Sequence, residues 1–160
     1  MFFLDFDGTL YDTHLFVAEI NRILATYGVS EEVAVDTRTT AVLLDDDLHY
    51  DYTFERHLDA LIKASYTLPR EKVMQDLTNI FDVHDFTSVQ SIPFLNRIKL
   101  YNQPIVLLSA GNDEFQRMKI NSTEMGDYFD DVLIVHGNKE VQVDKFSQTE
   151  SQIFFINDKI

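Results

Sequence analysis

The sequence predicts an α/β fold: a Rossmann-like parallel sheet core into which a block of α-helices is inserted. Three observations predict it. Short apolar runs recur along the chain and end in polar or small residues; the later runs alternate with helical patterns; and the segment between the first two runs has helical periodicity without a strand pattern. Strands that alternate with helices in this way form parallel sheets with right-handed crossover connections.

The predicted strands are four short apolar runs. The first, at residues 2–6, ends in an Asp-Gly turn, as expected of a buried central strand. The other three lie at residues 105–108, 132–135 and 153–156. Ligands of parallel sheets bind beyond the carboxyl ends of the strands, so the polar residues that follow these runs are candidate site residues.

Helical patterns connect the later strands. Residues 91–101 precede the second strand, residues 114–123 follow it, and residues 139–147 precede the last strand. Parallel strands need a crossover connection of this kind, most often an α-helix. The order of elements therefore favours a parallel sheet over hairpins.

Residues 13–88 form the inserted helical block. Its first helix has apolar residues at helical spacing and ends before Gly28. Further helices begin near Ser30, Phe54 and Pro69, the last because proline is favoured in the first turn of a helix.

Two domains follow from this pattern. Residues 1–12 and 89–160 form the Rossmann-like core, and residues 13–88 form a helical domain inserted between its first two strands. The acidic run at residues 45–47 lies in the helical domain, and we interpret it as a solvated segment rather than as a metal site.

Composition excludes several classes of function. The chain has 160 residues, no cysteine and a formal net charge of -14. Disulfides and thiolate metal sites are therefore excluded, and we predict no nucleic-acid partner and no anionic membrane partner, because both require basic surface. No apolar stretch is long enough to span a membrane, and the first residues lack the features of a signal peptide. We expect a cytoplasmic protein.

Asp5 and Asp7 are the strongest candidates for chemistry. They are two residues apart at the end of an apolar strand, so both side chains leave the same face of extended backbone. At ~4 Å and an effective dielectric constant of ~20, two such charges repel by roughly 4 kcal/mol. The pair therefore requires a bound cation or a raised pKa.

Residues 5–10 have the sequence Asp-Phe-Asp-Gly-Thr-Leu. This stretch resembles the Asp-x-Asp-Gly-Thr-Leu first motif of the haloacid dehalogenase (HAD) superfamily, in the subgroup with a helical cap inserted after that motif. Ser109, Lys139 and Asp158 match the second, third and fourth motifs in order and strand context. The resemblance covers essentially the whole chain and implies that residues 13–88 are the cap domain.

The resemblance implies a phosphatase that works through an aspartyl-phosphate. Asp5 would be the nucleophile that attacks phosphorus, and Asp7 would protonate the leaving alcohol and then activate water. The substrate would be a small phosphorylated metabolite, because the true dehalogenases of the family lack an acid at the position of Asp7. The cap would close over the site and exclude water during the first transfer.

The resemblance also implies a Mg²⁺ ion and a phosphate-binding set at the same sheet edge. Mg²⁺ would be bound by Asp5, the backbone carbonyl of Asp7 and Asp158. Serine hydroxyl, turn amides and a lysine ammonium would neutralise the phosphoryl group. The phosphate-binding residues would be Gly8, Thr9, Ser109, Ala110 and Lys139.

Several alternatives stay open. A phosphomutase would use the same intermediate. A catalytically weak protein that only binds phosphate or metal is suggested by Asn157, because family members commonly carry a second acid beside the fourth-motif aspartate. A phosphonate-cleaving enzyme would need a cap lysine that forms a Schiff base, for which Lys63 is the candidate. Lys145 is a rival to Lys139 for the third-motif role.

Overall fold

The computed structural model describes residues 1–42, 50–147 and 152–158. The chain divides into two compact units, one of Met1–Thr13 with Asp85–Ile160 and one of His14–His84. The boundary that we drew from the sequence at residue 88 lies four residues after the end of the second unit. That the two units act as catalytic core and cap stays a prediction, and the acidic run at residues 45–47 lies outside the described residues.

The first unit contains a parallel sheet with strand order β3-β2-β1-β4 among the described residues. All neighbouring strands are parallel, and Phe2 in β1 lies opposite Ile105 in β2 and Phe154 in β4. The predicted fold class, a Rossmann-like parallel α/β sheet with an inserted helical unit, is confirmed. Strands β1 to β4 span Phe2–Leu4, Ile105–Ala110, Asp131–Val135 and Phe154–Ile156.

Helices account for most of the remaining described residues. Helices α1 to α8 span Thr13–Thr26, Glu31–Val42, Phe54–Lys63, Arg70–Thr78, Ile80–Val83, Ser91–Lys99, Asp113–Asn121 and Glu140–Ser147, with a 3-10 turn at Gly126–Tyr128. The short α5 has no counterpart in the sequence prediction. It follows α4 after Asn79, whose backbone is itself helical.

The central strand β1 is fully buried, and this burial follows from its sequence. Phe2, Phe3 and Leu4 are all buried, with Phe3 at the centre of one face of the sheet beside Val106 and Leu108. The partly buried residues packed on this cluster are Met1, Leu133, Val135, Val143, Phe146, Ile153 and Phe155. A strand covered on both faces reads as a continuous apolar run, as this one does.

The second unit has its own apolar core. Stacked aromatic rings lie at its centre, with Phe16 6.3 Å from Phe54 and 5.7 Å from Phe81 between ring centroids. Thr53 caps the start of α3 by accepting a hydrogen bond from the Arg56 amide. No described helix in either unit is both long and apolar enough to cross a membrane.

His57 is a buried histidine in this second unit. Its Nε2 lies 3.0 Å from the carbonyl oxygen of Ala34 and 3.1 Å from Thr37 Oγ1, and its Nδ1 lies 3.0 Å from the Tyr52 hydroxyl. A carbonyl oxygen only accepts, so in the neutral ring Nε2 carries the proton and Nδ1 accepts from Tyr52. Burial lowers the pKa of His57 from 6.5 to about 4, so the ring is neutral at pH 7.

We predict that His57 makes the stability of the chain depend on pH. Its pKa is lower in the folded than in the unfolded chain, so its contribution is fully present above pH 6.5 and is lost as the pH falls toward 4. The free energy of unfolding should therefore fall by about 2 kcal/mol between pH 7 and pH 5 on account of this group. Urea unfolding at each pH, monitored by circular dichroism, measures this free energy of unfolding.

The matched variants are His57→Gln and His14→Gln. His57→Gln should be less stable at pH 7 but should lose less stability on going to pH 5. His14 is exposed, so His14→Gln should keep the pH dependence of the parent chain. An unchanged pH dependence in His57→Gln would contradict the prediction.

Candidate active site

Polar residues of the first unit converge at the carboxyl-terminal edge of its sheet. Asp5 follows β1 directly, and its amide donates to the carbonyl of Ile156 at the end of β4, at 2.9 Å. The chain then turns sharply, with the amides of Thr9 and Leu10 donating to the Phe6 carbonyl at 3.3 and 2.9 Å. Parallel pairing therefore brings the ends of β1, β2 and β4 to one place, as the sequence predicted.

Asp5 is a buried carboxylate in contact with a lysine. The residue is 3% exposed, and Lys139, which precedes α8, donates to its Oδ1. The Phe6 amide donates to the same oxygen at 2.7 Å. Burial raises the pKa of Asp5, with a further contribution from the charge of Asp7, while Lys139 acts to lower it. A cation bound beside Asp5 would therefore stabilise its ionised form.

Asp7 has a different set of partners. Lys119 contacts its Oδ1, Thr13 donates to that oxygen at 3.2 Å, and Gln116 Nε2 donates to Oδ2 at 3.0 Å. Burial acts to raise the pKa of Asp7, but the charge and hydrogen bond of Lys119 and the hydrogen bond of Gln116 outweigh it, so the pKa lies below its usual value. The two aspartates are thus held by separate donors.

Lys119 lies on the buried face of α7 and is 4% exposed. Its Nζ is 4.6 Å from the centroid of the Tyr11 ring and 5.5 Å from that of the Phe6 ring. Burial lowers the pKa of Lys119, and the charges of Asp7 and Asp5 act against that effect. An ammonium covered in this way is stabilised by ring faces and by its carboxylate partner.

Gln116 and Lys119 are not among the site residues predicted from the sequence. Both fall within the predicted helix at residues 114–123, and with Phe115 and Ile120 they form the buried face of α7. The available signal was a lysine on the buried side of an amphipathic helix. Lysine is almost never fully buried without a partner, so such a position points to a buried carboxylate.

Ser109 is fully buried within β2, and its hydroxyl is unpaired. Across residues 1–42, 50–147 and 152–158, Ser109 Oγ has no hydrogen-bond partner, and the same holds for Thr9 Oγ1. Ser109 does not cap the following helix, because Asn112 fills that role by accepting from the Phe115 amide at 3.0 Å. Buried hydroxyls without partners are uncommon and indicate a place for a ligand.

Gly8 and Asp158 lie against each other. Gly8 has a φ of +79°, and a Cβ placed on it would lie 2.6 Å from Asp158 Oδ2. The left-handed backbone favours glycine at this position, and the missing Cβ leaves room for the Asp158 carboxylate. The Asp158 carboxylate therefore lies beside the turn that follows Asp7.

The oxygen atoms at this edge fit a magnesium ion. Mg²⁺ is bound in proteins through one or two carboxylates and keeps several waters. Among the described residues, no group of three or more histidine, cysteine, aspartate or glutamate side chains is arranged to hold a metal ion. Asp5, the carbonyl of Asp7 and Asp158 would provide these oxygens, and a divalent cation would offset the cost of burying Asp5.

The rival lysines are placed differently. Lys145 is exposed and donates to Gln142 Oε1 at 3.3 Å, whereas Lys139 contacts Asp5. Lys63 is the exposed last residue of α3 in the helical unit. Ala110, the last residue of β2, accepts from Gln116 Nε2 at 3.1 Å through its carbonyl.

Solved structures show the same fold. A candidate haloacid dehalogenase-like hydrolase from Burkholderia xenovorans aligns with a TM-score of 0.69 and 22% identity over 99% of this chain and 71% of that one. A candidate β-phosphoglucomutase from Thermotoga maritima aligns with a TM-score of 0.67 and 14% identity, over 96% and 74%. A candidate HAD-hydrolase from Bacillus subtilis, described as bound to magnesium, aligns with a TM-score of 0.63 and 12% identity, over 99% and 77%.

Sequence comparison gives the family. No curated protein matches the chain significantly. A family model for haloacid dehalogenase-like hydrolases matches residues 1–148, which includes the Asp5 to Leu10 motif, Ser109 and Lys139. The resemblance stated from the motifs is thereby confirmed, and the chain belongs to the haloacid dehalogenase-like hydrolase family.

Proposed function

We propose that this protein is a Mg²⁺-dependent phosphatase that hydrolyses a small phosphate monoester through an aspartyl-phosphate on Asp5. Asp7 handles the proton, and the phosphoryl oxygens are bound by residues of three strand ends. The proposed phosphate-binding residues are Gly8, Thr9, Ser109, Ala110 and Lys139. Mg²⁺, when bound by Asp5, the carbonyl of Asp7 and Asp158, would neutralise charge on the phosphoryl oxygens.

The division of donors between the two aspartates carries this proposal. Asp5 is buried against a lysine and a backbone amide, whereas Asp7 is held by three side chains of its own. Two carboxyl groups in different environments take different roles in acid and base chemistry. Asp5 lies beside Lys139, the cation proposed for the phosphoryl group, and this placement supports Asp5 as the nucleophile. Asp7 has donors on both of its oxygens, which hold it in one orientation, as a group that moves a proton requires. The lowered pKa of Asp7 favours its role as the base of the second transfer, and in the first transfer Asp7 must enter in its protonated form.

In the first transfer, an Asp5 oxygen forms a bond to phosphorus while the bond from phosphorus to the ester oxygen breaks. The proton of Asp7 passes to that ester oxygen, which leaves as an alcohol. Lys139 lies beside Asp5 and its ammonium stabilises charge on the phosphoryl oxygens as they move. The unpaired Ser109 hydroxyl donates to one of them.

In the second transfer, water attacks phosphorus and gives its proton to Asp7. The bond between phosphorus and Asp5 breaks, so inorganic phosphate and the free carboxylate are restored. Asp7 returns to its protonated form and completes the cycle. The same residue therefore serves as acid and then as base.

A phosphomutase is the second candidate, favoured by the likeness to the candidate β-phosphoglucomutase. It would pass the phosphoryl group to a second hydroxyl of a sugar instead of to water. A dehalogenase is the third reaction type to test because the family is named for it. The acid at Asp7 argues against it, since a halide leaving group needs no proton.

We predict metal-dependent release of phosphate that is lost in Asp5→Asn. Sugar phosphates, nucleotides and short phosphorylated acids are incubated with Mg²⁺ or with EDTA, and phosphate is measured. Removing the nucleophile should lower the rate at least about 1,000-fold, because the asparagine amide does not form the intermediate. Circular dichroism checks that the variant is folded.

Other outcomes of that panel separate the candidates. Isomerised sugar phosphate without release of phosphate would favour the mutase. Halide release from 2-chloropropionate would favour a dehalogenase. Full phosphate release by Asp5→Asn would sink the proposed mechanism.

We predict that Asp158→Asn weakens Mg²⁺ binding. Replacing a ligand carboxylate by an amide should raise the Mg²⁺ concentration needed for half-maximal activity by about 10-fold to 100-fold. Calorimetric titration with Mg²⁺ measures binding separately from activity. Asp113→Asn is the control, because Asp113 is exposed and pairs with Arg117; equal Mg²⁺ affinity in both variants would contradict the assignment.

We predict that Lys139 and Lys145 differ sharply. Lys139→Met removes the ammonium beside Asp5 and should lower kcat by about 100-fold or more. Lys145→Met changes an exposed residue and should leave kcat within about 2-fold. Steady-state kinetics on the best substrate of the panel measures kcat for both variants. A large fall in kcat in Lys145→Met alone would assign the third-motif role to Lys145.

A further inference from the structure

We propose that Gln116 and Lys119 of α7 are positioning residues that together hold the Asp7 carboxyl group in the orientation needed for proton transfer. The inference rests on the proposed phosphatase function, in which Asp7 is first the acid and then the base. Neither residue belongs to the four sequence motifs that the chain shares with the family.

The two oxygens of Asp7 have donors on opposite sides. Lys119 contacts Oδ1, Thr13 donates to Oδ1 at 3.2 Å, and Gln116 donates to Oδ2 at 3.0 Å. Donors on both oxygens oppose rotation about the bond between Cβ and Cγ. The plane of the carboxyl group is therefore set by α7 and by the first residue of α1.

Gln116 is itself fixed. Its Nε2 also donates to the Ala110 carbonyl at 3.1 Å, at the end of β2 and next to Ser109. The space it occupies exists because residue 111 is glycine, where a Cβ would lie 2.9 Å from that Nε2. Asp7 is thus tied through one amide group to the strand end that carries the unpaired Ser109 hydroxyl.

Lys119 is fixed by the aromatic rings that cover it. Its ammonium packs on the buried rings of Phe6, which lies in the Asp5 to Leu10 motif, and of Tyr11, which follows that motif. Because its ammonium contacts Asp7 Oδ1, we infer that Lys119 acts through that carboxyl group. Displacing a reacting group by about 1 Å costs about 100-fold in rate.

The leaving group of the substrate reveals whether Asp7 is well placed. The alcohol of an alkyl phosphate leaves poorly unless Asp7 gives its proton to the ester oxygen as the bond to phosphorus breaks. The 4-nitrophenolate ion leaves without that proton. In the second transfer, water must give its proton to Asp7 whichever substrate was used.

The experiment compares Lys119→Met and Gln116→Met with the parent enzyme on glycerol 3-phosphate and on 4-nitrophenyl phosphate. Lys99→Met is the control, because Lys99 is an exposed residue of α6 whose ammonium packs on Tyr128. Rapid mixing records the first turnover, and steady-state assays give kcat and KM. Thermal melting shows whether each variant is folded.

For Lys119→Met we expect a fall in kcat on glycerol 3-phosphate of about 100-fold with KM within about 3-fold. On 4-nitrophenyl phosphate the first turnover should keep its rate within about 5-fold and give a burst of one nitrophenolate per site, followed by slow hydrolysis. Gln116→Met should change both substrates in the same direction by a smaller factor, because it removes a neutral donor. Lys99→Met should match the parent.

Equal losses in the first turnover of both substrates, or a raised KM at unchanged kcat, would overturn the proposal. The first result indicates general damage to the site, and the second indicates that Lys119 binds the substrate phosphate directly. Wild-type rates in both variants would overturn it as well.

Crystal structures of the parent and of Lys119→Met test the positioning without any turnover. We expect the Asp7 carboxyl group to stay on Gln116 in the parent and to leave it, or to occupy a second rotamer, in Lys119→Met. An unmoved Asp7 overturns the inference. If Asp7 moves while the parent shows no phosphate release, the positioning stands and the proposed function fails.

Discussion

Placement of two carboxylates only two residues apart at the end of a buried strand is the constraint on which the rest of the first unit depends. Asp5 is buried and Asp7 is partly buried, and the charge of each must be compensated there. Lys139 before α8 compensates one, and Lys119 on α7 compensates the other. Two crossover segments, α7 and the residues just before α8, therefore supply the lysines that compensate the carboxylates after β1.

Much of the fold followed from patterns that depend on nearby residues. The apolar runs marked all strands of the sheet to within a few residues, and Asp-Phe-Asp-Gly-Thr-Leu marked the turn after β1. Helix α5 was missed because it follows α4 with only Asn79 between them, and its four residues carry too little periodicity. Apolar runs and helical periodicity indicate which face of a strand or helix is buried, and the fold depends chiefly on which faces are buried.

The site was predictable only in part, because several of its contacts join residues that are far apart in the sequence. Motif order indicated Asp5, Lys139 and Asp158, but which donor meets which oxygen is decided by packing across more than a hundred residues. Gln116 and Lys119 reach Asp7 from α7, and no local pattern specifies that meeting. Likewise, only the structure shows that Asn112, and not Ser109, caps α7.

The central place of β1 has a consequence for the order in which the protein folds during synthesis. Its first residues leave the ribosome early but pair with strands that begin about a hundred and a hundred and fifty residues later. Residues 14–84, in contrast, are one continuous segment with a core of their own, and they are made before β2 and β4. The carboxylates at positions 5 and 7 are therefore made more than a hundred residues before the lysines at positions 119 and 139 that contact them. The aromatic run beside them stays unpaired until its partner strands are made, and an unpaired apolar strand is prone to aggregation.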